Sequence, residues 1–302
     1  VSSAAGPLPR AVHGGTVHPV PGARRKGTPM TPPRSGYDPD FLGPPLPVPA
    51  LGPGPDADAV RLDGSTRVDY THFSLALSAS RGFAFWVAWN VDGGGLRKLA
   101  RTGIPFLKDP RLPADVQVGD EVYQGNRLDR GHLARRADLL WGTEAEARRA
   151  NRDSFYFTNI TPQVEDFNQS VRAGLWGRLE DALYAEVEVD RLRVSVFGGP
   201  VFGADDRAYR GVLLPREFWK VIASVQAGVL KASAFVLTQD LNRVESLEFA
   251  EFRVYQVPLA ELGTRVALGF PPALLAADAV APVAAGLGQR PPLGSLADIS
   301  WS

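Results

Sequence analysis

The sequence predicts an α+β fold, on three observations. β-rich runs bounded by turn signals recur from Val60 onward, only a few segments carry helical spacing, and no second linker interrupts the chain after Val60. The 302 residues, 44% hydrophobic and 22% charged, are enough for one large core and exclude wholesale disorder. The domain is therefore expected over residues 58–302, with residues 1–57 as a Pro/Gly-rich arm or linker.

The arm comes first. Fourteen of the 26 prolines and nine of the 31 glycines fall in the first 55 residues. Proline lacks a backbone donor and fixes φ, so Pro7 to Pro55 is expected to be neither regular helix nor central strand. Its tail, Tyr37-Asp-Pro-Asp-Phe-Leu-Gly, carries aromatic anchors able to dock on the domain.

Beyond it, Val68 to Ser78 alternates as a strand, and Gly82 to Val91 reads as a buried strand ended by the flexible turn Asp92-Gly-Gly-Gly. Ala145 to Arg152 is a short helix with Thr143 at its N-cap. Ser154 to Thr158 reads as a strand entering a polar loop. Leu175, Leu179, Leu183 and Val187 recur at helical spacing, so Leu175 to Val187 is expected to be an amphipathic helix. Leu192 to Phe197, Lys220 to Val225, Val229 to Leu237 and Phe252 to Val257 complete the strands. No repeat period is present.

Zero cysteines exclude disulfides, thiolate zinc sites and thiol nucleophiles, and leave the compartment open. No run of eighteen apolar residues exists, since Asp278 breaks the best one, Pro271 to Leu287, so no membrane partner is expected. The chain starts with Val and shows no basic n-region followed by an apolar h-region. A processed or truncated N-terminus is the simplest account, and an upstream domain or protein partner stays open. The 33 basic and 33 acidic residues cancel, so an electrostatic case for nucleic acid has to be local. From Arg97 to Arg152, twelve basic residues face eight acidic ones, a local charge of +4. Phosphate tracking requires such a patch, although a solvated helix face accounts for Arg148 and Arg149 equally well.

Of the four histidines, His13 and His18 lie in the arm and His72 in a strand pattern. His132 stands in Leu128-Asp-Arg-Gly-His-Leu, where glycine permits tight backbone placement and both charge signs flank an imidazole. By itself this segment reads equally well as a helix-start aspartate beside a surface histidine. Downstream come Thr158-Asn-Ile-Thr-Pro-Gln163, Phe167-Asn-Gln169 and Leu175-Trp-Gly-Arg-Leu-Glu-Asp181. Upstream is Trp86-Val-Ala-Trp-Asn90, and later come Phe197-Gly-Gly-Pro-Val201 and Pro215-Arg-Glu-Phe-Trp-Lys220. In this order and spacing the motifs resemble the DNA/RNA non-specific endonuclease family, over roughly Tyr70 to Asp278.

The resemblance implies a ββα-metal (His-Me finger) nuclease fold with a central, mostly antiparallel sheet flanked by helices. It also implies hydrolysis of DNA and RNA through backbone contacts, with 5′-phosphate products and one Mg²⁺ or Mn²⁺ ion. On it, His132 is the general base, Asn168 the metal ligand, Glu180 the helper that holds the hydrated metal, and Arg130 a phosphate binder. Arg101, ahead of the family-like Lys108-Asp-Pro110, is the candidate second transition-state arginine. Asn159 is expected to orient the site, and Arg127 and Arg135 to add phosphate contacts. Read on their own, Asn168 is equally a helix N-cap, Glu180 a surface residue paired with Arg178 or Tyr184, and Arg101 a solvated loop charge.

Two departures from the family pattern stand out. Ser170-Val-Arg-Ala-Gly174 lengthens the link from Asn168 to Glu180, which lies twelve positions on. On a continuous helix at ~100° per residue the two would sit about 120° apart, so the link must bulge or the helix start near Ala173. Gly125-Asn-Arg-Leu128 also replaces the family's usual lead-in to Asp-Arg-Gly-His. Two rival readings follow: a binding module of the same fold with weak turnover, or an effector nuclease recruited through the arm. A dimer, which some members form, stays open.

Overall fold

Runs of β-branched and aromatic residues separated by polar turns build a seven-stranded antiparallel sheet in this computed structural model. The structure describes residues 35–164, 192–239, 241, 253–280, 292–293 and 298–300. In chain order the elements are β1 (Ala50–Leu51), α1 (Pro53–Asp58), β2 (Val68–Tyr70), β3 (Phe73–Leu77), β4 (Ala84–Asp92) and β5 (Leu128–His132). They continue with α2 (Glu144–Asp153), β6 (Ile160–Val164), β7 (Arg193–Val201), β8 (Arg207–Tyr209), β9 (Val212–Leu214) and β10 (Glu217–Gln226). The last are β11 (Val229–Thr238), β12 (Arg253–Val257), α3 (Leu259–Val266), β13 (Leu268–Gly269) and α4 (Pro272–Ala276). The sheet order is β12-β11-β10-β7-β4-β3-β2, and β5 pairs separately with β6.

Strand periodicity sorts the sheet's side chains onto two faces. Leu75, Val87, Trp89, Val196, Phe218 and Phe235 point to one cluster, which also takes Leu128, Leu133, Phe157 and Ile160 from around the β5–β6 pair. Trp86, Ala88, Phe197, Trp219, Val221 and Val236 point to the other, closed by Tyr37, Leu46, Leu259, Leu262, Phe270 and Leu274. The sheet is thus buried on both sides, and the β5–β6 pair rides on one of them. The docking that the aromatic tail of the arm suggested is concrete: Tyr37 N donates to Ser74 Oγ at 2.8 Å, and Arg193 lies 4.2 Å over the Phe41 ring.

Three local expectations need correction. The run Val68 to Ser78 is not one strand but the hairpin β2–β3. It turns at Thr71-His72, where His72 takes a left-handed φ of 69°. Tertiary contacts impose that turn. His72 Nδ1 lies 2.8 Å from Leu139 O, its ring stacks on Trp141 at 3.5 Å, and Thr71 N and Oγ1 donate to Asp153 at 2.9 and 2.8 Å. Ser154 to Thr158 is likewise no strand. Turn bonds from Phe155 N to Arg152 O and from Tyr156 N to Asp153 O continue the end of α2, a single parallel bridge joins Tyr156 to Leu107, and the strand ladder begins at Ile160. A helix does start within the proline-rich stretch, because prolines in the first turn of α1 give up donors that no helix uses there.

The helix after Thr143 forms as expected, with a full capping box between Thr143 and Glu146. The expected amphipathic helix Leu175 to Val187 lies outside the described residues. Among the described residues no helix is long and apolar enough to cross a membrane.

Candidate active site

The site grows from the end of β5. The antiparallel register sets Arg130 opposite Pro162, Gly131 opposite Thr161 and His132 opposite Ile160. Glycine at 131 leaves room for the buried Gln163: a Cβ there would lie 2.1 Å from its Cδ and Oε1, so a larger residue must displace that side chain. Just past His132 the chain is clamped to Asn159. Leu133 N donates to Asn159 O at 2.9 Å, and Ala134 N donates to Asn159 Oδ1 at 2.9 Å. Asn159 Nδ2 in turn donates to Ala134 O and Ser154 O, both at 3.1 Å. Asn159 is fully buried, so this residue works through the backbone that carries His132.

The His132 ring sits against Phe106 at 5.8 Å and, edge-on at 85°, against Phe155 at 5.2 Å. The residue as a whole is partly exposed, yet its Nε2 is sealed and has no hydrogen-bond partner among the described residues. Burial, reinforced by the positive charges of Arg101 and Arg136, holds its pKa down at about 3. The imidazole is therefore neutral across the physiological range. In the tautomer protonated at Nδ1, Nε2 is an unused acceptor.

Arginines share the aromatic walls of that histidine. Arg130 Nε donates to Asp120 Oδ1 at 2.8 Å, while Arg130 Cζ lies 5.5 Å from the centre of the Phe106 ring and 5.2 Å from that of Tyr123. Arg101 is exposed, 5.8 Å over the ring of Phe155. The structure thus brings His132, Arg101 and Arg130 together around Phe106 and Phe155, with Asn159 behind them. Arg127 and Arg135 flank the motif, partly buried and engaged with other groups. Asn168 and Glu180 lie outside the described residues. Among the described residues no cluster of three or more His, Asp or Glu side chains could hold a metal ion.

Arg136, Asp120 and the aromatic walls Phe106, Phe155 and Tyr123 escaped the sequence reading. Arg136 carried a weak signal, since it lies four residues past His132 within the local basic excess. Lys108-Asp-Pro110 marked a structural node instead. Asp109 accepts from the Tyr70 hydroxyl at 2.6 Å and from Arg111 Nη2 at 2.7 Å.

A sequence pattern described as DNA/RNA non-specific endonuclease matches residues 54–276. The chain belongs to that family. A Sinorhizobium fredii relative called uncharacterized protein y4fB is 36% identical over 301 residues, 89% of this chain and 44% of that protein. A Serratia marcescens protein named nuclease is 30% identical to this endonuclease-family chain over 63% of it and 71% of the relative. Bovine mitochondrial endonuclease G is 30% identical over 48% of this chain and 50% of its own length. The chain thus spans less than half of the Sinorhizobium protein. Its fold is like that of a solved structure described as an EndoG/EndoGI complex, with a TM-score of 0.53 and 19% identity, covering 68% of this chain and 84% of that one. The large antiparallel sheet with few helices is the shared architecture.

Proposed function

We propose that this chain is a metal-dependent endonuclease that hydrolyses phosphodiester bonds in DNA and RNA with little sequence discrimination, on a ββα-metal site. Residues 58–302 would form the nuclease domain and residues 1–57 its arm. The observation that carries the reading is a neutral histidine at the end of β5 whose Nε2 is buried, unpartnered and flanked by arginines.

A lone nitrogen acceptor beside two guanidiniums suits a proton taken from water better than a cation bound directly. It fits a site whose ion is held elsewhere by oxygen donors. Asn168, with Glu180, would supply an amide oxygen and a carboxylate, a donor set that suits Mg²⁺ or Mn²⁺. Once bound, such an ion supplies Lewis acidity at the scissile phosphate. His132 accepts the proton of the attacking water at Nε2 as the new P–O bond forms and the P–O3′ bond breaks, the departing O3′ taking a proton from solvent water. Arg101 faces the charge that builds on the phosphate oxygens. Arg130 does so once it exchanges Asp120 for phosphate, and Arg127 and Arg135 extend the contact along the backbone. Asn159 holds the His132 strand end in register. Because these contacts address phosphates, the reading predicts little preference for base sequence.

The test is incubation of the protein with supercoiled plasmid and, separately, with single-stranded RNA, each with Mg²⁺ and with EDTA, alongside His132→Ala. Cleavage of both substrates that needs metal and His132 is expected. Cleavage that survives His132→Ala would sink the mechanism. Salt-sensitive binding without cleavage by the wild-type protein would favour the binding-module reading, which the long Asn168–Glu180 spacing motivates.

A further inference from the structure

Arg101 projects from residues 96–103, a segment without regular structure beyond a turn, yet its guanidinium would have to meet a phosphate beside His132. Four hydrogen bonds hold that segment to the chain following His132, and a fifth joins two of the residues that hold it. Arg97 N donates to Leu140 O and Arg97 Nε to Gly142 O, both at 2.6 Å. Arg136 Nη2 donates to Leu99 O at 2.5 Å, and Asn151 Nδ2 donates to Ala100 O at 3.2 Å. Arg136 Nε donates to Asn151 Oδ1 at 2.6 Å, which ties the last two grips into one unit. The two carbonyls immediately before Arg101 are therefore held by one arginine and one asparagine that hold each other.

The placement of this pair is specific. Arg136 opens the short helical turn Arg136–Leu139, four residues beyond His132, and Asn151 is buried on α2. The acceptors of these Arg136 bonds are neutral oxygens, and both burial and the neighbouring Arg101 charge disfavour its cation. A planar guanidinium can send Nε–H one way and Nη–H another, which a lysine cannot do.

We propose that Arg136 and Asn151 are positioning residues for Arg101. By fixing the Leu99 and Ala100 carbonyls to the chain that leaves His132, they keep the Arg101 guanidinium over Phe155 and beside the base. This rests on the nuclease reading for what Arg101 meets.

The decisive variant is Asn151→Ala, because it removes no charge. In a non-cleaving His132→Ala background, the affinity for a duplex oligonucleotide would be measured by fluorescence anisotropy across a salt series. Removing Arg101 should flatten the slope of log K against log salt by about 0.9, the value of one lost phosphate contact. Asn151→Ala should flatten it by most of that amount, and should change nothing further when combined with Arg101→Ala. A merely structural role would lower the melting temperature and leave the slope alone.

An unchanged slope in Asn151→Ala, or separate contributions of Arg101 and Asn151 that add, would overturn the proposal while leaving the nuclease reading intact. So would an unchanged slope in Arg101→Ala. Absence of any duplex binding by the parent protein would overturn both. Should Asn151→Ala not fold, Asn151→Asp keeps the acceptor for Arg136 and loses only the donor to Ala100. It carries the same expectation, corrected for its one added negative charge by the control Ala145→Asp at an exposed position of the same helix.

Discussion

Replacing Asn159 by alanine isolates the clamp behind the candidate base. The side chain makes three bonds, accepting from Ala134 N and donating to Ala134 O and Ser154 O, in a fully buried setting. Leaving the Ala134 N–H unmet costs about 1–3 kcal/mol, and each orphaned carbonyl adds roughly 1 kcal/mol. The sum, about 3–5 kcal/mol, corresponds to a fall in melting temperature of about 6–10 °C, at roughly 2 °C per kcal/mol for a domain of this size. Activity should fall further than stability explains, because the segment that loses its anchor begins at Ala134, two residues beyond His132. A displacement of about 1 Å at a reacting group costs on the order of a hundredfold in rate. Two measurements suffice: a thermal melt, and plasmid cleavage at a temperature where the variant is fully folded. A destabilised variant with wild-type turnover would show that Asn159 supports the fold alone. A variant unchanged in both would refute the clamp itself.

Other consequences follow from the same geometry. Gly131→Ala drives a methyl group into Gln163 and should cost about 1–3 kcal/mol in a denaturant melt; adding Gln163→Ala should restore most of it, and no rescue would place the strain elsewhere. His132 binds its proton near pH 3 when folded and at about 6.5 when unfolded, so the unfolded chain takes up protons first as pH falls. Stability contributed by the neutral ring is therefore present above about pH 6.5 and lost progressively toward pH 3. His132→Gln should narrow its stability gap to wild type, or overtake it, between pH 7 and pH 4; parallel curves would count against the depressed pKa. Thr143→Ala breaks the capping box of α2 and should cost about 1 kcal/mol, read as a shift in urea midpoint.

The buried strands were legible because both faces of the sheet are covered, so Gly82 to Val91 is apolar at nearly every position. The cap of α2 was legible because Thr143 and Glu146 carry the whole signal within four residues. The break at Thr71-His72 was not. A left-handed histidine inside an alternating run is dictated by Leu139, Trp141 and Asp153, distant in sequence, and leaves no local trace. Phe155 and Phe157 looked like strand residues on composition, but they are aromatic because they pack around His132 and Phe106. At the site, His132, Arg130 and Asn159 could be found through their motifs. Arg136 could not, since its role depends on which backbone carbonyls the fold carries to it. Asp120 was similarly hidden, ten residues from the arginine it holds.

The sheet separates two interiors that share a wall but little else. The candidate site draws only on the side holding Leu133, Phe157 and Ile160, while Tyr37, Leu46, Leu259 and Leu274 seal the opposite side. Repacking of that far layer would leave the catalytic geometry in place so long as the strands keep their register. Engineering and natural drift can therefore use it freely: an attachment point, a reporter dye or a fusion belongs on the outer surface of α3 and α4. Even a conservative swap beneath the β5–β6 pair would be felt by the histidine.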